Sequence, residues 1–129
     1  MIEYTDRESR TLRTAVYGAM VLVSVAEEGS LDQESHAGIR AMAALPPSVR
    51  AAVDSGAPEL PAGSVADVEH GVLTALRDSM ALLTARSAAE ADAFAEAVVA
   101  MCGRVATADG HVGRDEHATV TRVRHALGR

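Results

Sequence analysis

The chain has no tryptophan and no lysine, a single cysteine, and aromatic residues at only 2% of its length, namely Tyr4, Tyr17 and Phe94. Strands draw on aromatic and β-branched side chains, so this scarcity disfavours a sheet. What remains for a core is Ala, Val, Leu and Met, and three of those four are strong helix formers. One cysteine excludes an intramolecular disulfide and a zinc site of the multi-cysteine kind. Cys102 lies in an apolar stretch, where a free thiol behaves as a small buried hydrophobe. All twelve basic residues are arginines, scattered singly against eighteen acids, for a net charge of −6. Such a chain offers no basic stripe to neutralise phosphates, and nucleic acid is not an expected partner. Long apolar runs are missing too. The longest nearly unbroken one, residues 18–26, falls well short of the roughly 20 residues a membrane-spanning helix needs. The first eight residues are polar and carry acids, unlike the basic start and apolar run of a signal peptide, so the expected location is the cytoplasm.

What is present reads as helix. A length of 129 residues suits one domain with its own core, and residues 1–129 are expected to form a single all-α domain, a compact bundle of about five to six helices. Leu12, Val16, Met20 and Val23 recur at steps of three and four, which predicts a helix over residues 5–27. Glu28-Gly29-Ser30 would stop it, because glycine readily takes the left-handed conformation that closes a helix. A second helix would start at the N-cap residue Asp32 and carry Ile39, Met42 and Leu45 to Pro46-Pro47. Residues 46–64 hold all four prolines and two glycines, and read as a connector with room for a short helix over 48–54. Beyond it, Val65, Val68, Val72, Leu76, Met80 and Leu83 predict a helix over 64–85. Ser87 would cap the next, whose buried stripe is Phe94, Val98, Met101 and Val105 and whose end is Asp109-Gly110-His111. A last helix over 114–127 would bury Val120, Val123 and Leu127.

Sliding the chain on itself by about 81 residues brings out an internal match. Met20 falls on Met101, Glu28 on Asp109, Gly29 on Gly110, Leu31 on Val112, His36 on His117, Ala37 on Ala118 and Ile39 on Val120. A duplicated unit constrains the whole architecture. It predicts two pseudo-symmetric helical hairpins, over residues 12–45 and 93–127, joined by the Pro-rich connector.

The stretch Val105-Ala106-Thr107-Ala108-Asp109-Gly110-His111-Val112-Gly113-Arg114-Asp115-Glu116 resembles the signature of the tellurite-resistance TerB family. That signature is an alanine-rich helix ending in Ala-Asp-Gly, a spacer, an aliphatic residue, and a glutamate seven positions after the aspartate. The N-terminal copy is degenerate, with Glu28 for the aspartate, Ser35 where the glutamate should stand and Glu34 one residue early. The resemblance implies an all-helical, non-enzymatic domain tied to tellurite and metal-stress responses, with acids proposed as a divalent-metal site. DnaJ-type co-chaperones carry a similar domain, so the resemblance leaves the pathway open.

Two readings of the acidic turns stand side by side. Asp109, Asp115 and Glu116, with Glu28, Asp32 and Glu34 in the other copy, are oxygen ligands suited to a hard divalent cation such as calcium or magnesium. The spacing matches only the second half of an EF-hand loop, since Val105 and Thr107 stand where that loop needs acids. In the other reading the acids serve the helix that follows, each stabilising its N-terminus by roughly 0.3–1 kcal/mol, with Glu116 placed as a capping-box residue three after Gly113. The chain is then a protein-interaction or homodimerisation module. His111, His117 and His125 lack the His-x-x-x-His spacing, and no nucleophile elbow, phosphate-binding Gly-rich loop or His-Glu-x-x-His motif supports catalysis.

Overall fold

In the computed structural model, which describes residues 4–25, 45–56, 61–107 and 114–129, every regular element is helical. The elements are α1 (Asp6–Val25), α2 (Pro47–Asp54), α3 (Val65–Arg86), α4 (Ala88–Thr107) and α5 (Arg114–Ala126), and no strand occurs among the described residues. None of these helices is long and apolar enough to cross a membrane.

The helices begin where local chemistry tells them to. Ahead of α1, the Glu8 amide donates to Thr5 Oγ1 (3.1 Å) and the Thr5 amide donates to Glu8 Oε1 (2.8 Å). Ser64 and Asp67 repeat that reciprocal pair at the start of α3, at 3.2 and 3.1 Å. Each pair satisfies amides that have no partner within the helix. Ser87 works in both directions. Its amide donates to the Leu83 carbonyl at the end of α3, and its hydroxyl accepts from the Glu90 amide at 3.3 Å, so one residue turns α3 into α4. In α2, Pro47 occupies the first turn, where its missing amide hydrogen costs nothing.

Helix α1 packs against all four other helices, most extensively against α3. Its stripe of Leu12, Val16 and Met20 is buried, as the periodicity predicts, and Ala15, Ala19 and Leu22 are buried beside it. The two helices come close at Gly18, where an added Cβ would lie 2.5 Å from Val72 Cγ2. Helices α3, α4 and α5 close around the remaining sides, with Val72, Leu76 and Leu83 meeting Phe94, Val98, Met101 and Val123 in one core. Fully burying a side chain of this size is worth roughly 1.5–3 kcal/mol.

The stretch read as a connector adds to that core. Val49, Ala52 and Val53 of α2 are buried and the helix lies against α1. Arg13 of α1 holds its far end, donating through Nη1 to Ser55 Oγ (2.7 Å) and to the Ala52 carbonyl (3.4 Å). A guanidinium at a helix C-terminus is favoured by the carbonyl dipoles it faces.

Helices α1 and α4 begin 82 positions apart, at Asp6 and Ala88. Six buried positions coincide at the same offset, although buried Leu22 falls on exposed Arg104 and buried Ala95 on half-buried Arg13. Ser9 matches Ala91, Leu12 matches Phe94, Ala15 matches Ala97, Val16 matches Val98, Ala19 matches Met101 and Met20 matches Cys102. The capping residues follow suit, Thr5 and Glu8 against Ser87 and Glu90. Burial thus pairs Met20 with Cys102, whereas the acidic turns match at 81. The expected helix over 32–45 lies outside the described residues except for Leu45, which is buried.

Candidate functional site

The three acids of the C-terminal copy, Asp109, Asp115 and Glu116, fall in sequence at the passage from α4 to α5. These two helices pack against each other, and the junction between Thr107 and Arg114 carries Asp109-Gly110. Asp115 and Glu116 are the second and third residues of α5, within its first turn. Asp109 lies outside the described residues, as do Glu28, Asp32 and Glu34 of the N-terminal copy. Among the described residues, no group of three or more His, Cys, Asp or Glu side chains is placed to hold a metal ion.

Position three of α5 has a parallel in every other long helix. Glu8 in α1, Asp67 in α3 and Glu90 in α4 all stand third from the start, each following a hydroxyl residue that caps the helix. Thr5 holds the Glu8 carboxyl below its ordinary range, chiefly through its amide, with help from its hydroxyl and from Arg86. Ser64 does the same for Asp67, again chiefly through its amide. Glu116 is likewise third in α5, and the residue before that helix, Gly113, lies outside the described residues. An acid at the third position is therefore this chain's ordinary way of starting a helix. Asp109 and Asp115 are what set the C-terminal turn apart.

The remaining candidate ligands are dispersed. His70, His117 and His125 are exposed, on α3 and on the two ends of α5, while His36 and His111 lie outside the described residues. Cys102 is fully buried in α4, and burial pushes its thiol up to about 12. Its place is that of a small hydrophobe packed in the core.

One polar cluster has no counterpart in the sequence reading. Glu90 Oε1 accepts from Ser48 Oγ at the start of α2 (2.7 Å), and its Oε2 accepts from the Tyr4 hydroxyl (3.2 Å). Arg86 lies over the Tyr4 ring, 4.8 Å from its centre, and donates to Glu8 Oε1 at 3.0 Å. The cluster ties the N-terminal segment, α2 and the α3–α4 corner together. Its members hold one another. Burial and the Glu90 carboxylate raise the Tyr4 phenol above its ordinary value, although Ser48 and Arg86 pull the other way. A general acid or base working near neutrality needs a shift downward. Local signals could find only part of this cluster. Ser87-x-x-Glu90 is a capping pattern, but the partners that draw the Glu90 side chain away lie 86 and 42 positions distant.

A groove of about 310 Å³ runs along the outside of α4 and α5, floored by Ala95, Val99 and Ala100 and rimmed by Glu96, Arg124 and Arg129. Arg129 is paired with Asp92. The lining is mostly aliphatic and carries no hydroxyl, thiol or imidazole, so it presents no nucleophile and no base other than Glu96. Compared with known proteins, the chain matches no family model, no curated protein and no solved structure.

Proposed function

We propose that this chain is a TerB-like, non-enzymatic binding and sensing module that ligates a divalent cation at its C-terminal acidic turn and acts in a cytoplasmic response to tellurite or metal stress. The observation that carries the proposal is the coincidence of motif and architecture. The Asp109-Gly110 and Glu116 signature sits across the junction of two packed helices, and Asp115 and Glu116 enter the first turn of α5. Asp109, Asp115 and Glu116 would supply hard oxygen ligands, the donor set for calcium or magnesium. Glu28, Asp32 and Glu34 would form a weaker counterpart, because Ser35 replaces the closing glutamate. Elemental analysis of protein purified without chelator tests this reading. Calcium or magnesium at about one equivalent supports it, and protein that stays metal-free in millimolar calcium and magnesium counts against it.

A second reading takes its support from the other helix starts. Because Glu8 and Asp67 close capping boxes at the same helical position, Glu116 has a sufficient role as a capping acid. The chain would then be a protein-interaction or homodimerisation module with no bound cation. The pair Asp109→Asn with Glu116→Gln separates the two. Under the cation reading it removes metal binding. Under the capping reading it lowers stability by about 0.5–1 kcal/mol and leaves a metal-free protein metal-free. Light scattering reports the dimer that the second reading allows.

A further inference from the structure

We draw no further inference here: the strongest candidate, the open groove between α4 and α5 floored by Ala95 and Val99, carries nothing because Asp92 and Glu96 offset the charges of Arg129 and Arg124 beside it and nothing in the structure shows what covers it.

Discussion

Two glycines in helices should respond to the same substitution with opposite signs. In an open helix, Gly→Ala stabilises by roughly 0.5–1 kcal/mol, because alanine loses less backbone entropy on folding. Gly103 of α4 meets that condition, since none of the described residues lies within 4 Å of an added Cβ. Gly18 of α1 does not. A Cβ there would come 2.5 Å from Val72 Cγ2 and 2.9 Å from Val72 Cγ1. Val72 is fully buried, and its branched side chain has one strongly preferred rotamer in a helix, so it cannot swing away. The helices must part instead, and overpacking of this kind costs about 1–3 kcal/mol. After the propensity gain, Gly18→Ala should destabilise by about 1–2 kcal/mol, or about 3–7 °C in melting temperature for a domain of this size. Urea unfolding followed by far-ultraviolet circular dichroism measures both variants. Val72→Ala removes the two clashing methyls, so the double variant should be more stable than the sum of the two single losses by about 1 kcal/mol or more. A Gly18→Ala protein at least as stable as wild type, or additive effects in the cycle, would refute the close approach of α1 to α3.

Other consequences follow from single residues. Ser79 Oγ is fully buried with no hydrogen-bond partner among the described residues, so Ser79→Ala should stabilise by about 0.5–1.5 kcal/mol in the same unfolding assay. A loss would show that the hydroxyl has a partner. Cys102 should resist a thiol-specific reagent at pH 8 while the protein is folded and react fully in denaturant; native reaction at the rate of free cysteine would place it at the surface. Glu8 and Asp67 have carboxyls depressed in the folded state, so the stability they confer is present above their ordinary values and is lost as pH falls through the depressed ones. The combined Glu8→Gln and Asp67→Asn variant should therefore lose less stability than wild type between about pH 5 and pH 2, measured by urea midpoints, and an unchanged acid dependence would remove the two capping boxes from the account.

Helices were legible in this sequence because their signals are local. The steps of three and four at Leu12, Val16 and Met20, or at Phe94, Val98 and Met101, mark faces that the structure buries. The cap at Ser87 is equally local and works as its position suggests, and Ser64, where the expected helix begins, caps α3. Small and polar core residues were not legible. Ala15, Ala19, Ala97, Ser79 and Thr119 are buried by neighbours distant in sequence, and nothing in a short side chain announces that. Met80 and Val68 fall on an apolar stripe yet stay half-buried, because periodicity gives a helix its facing side but not how far the neighbours extend over it. The four prolines and two glycines of residues 46–64 mark a connector with room for a short helix, and α2 forms there with a proline in its first turn, but nothing local shows that its Val49, Ala52 and Val53 belong to the core. At the candidate site, the sequence places Asp115 and Glu116 at a helix start, and α5 begins there. Whether an acid in a first turn serves the helix or a cation depends on what surrounds its oxygens, which no spacing encodes.

Calorimetric titration of calcium and magnesium into chelator-treated protein, beside the Asp109→Asn and Glu116→Gln double variant, addresses the central proposal most directly. The account predicts a saturable heat in wild type with about one site and no heat in the variant. It also predicts a wild-type stability gain of about 2.7 kcal/mol when free cation exceeds the dissociation constant 100-fold. Absence of heat in wild type, or equal binding by the variant, would contradict a cation site at the C-terminal turn.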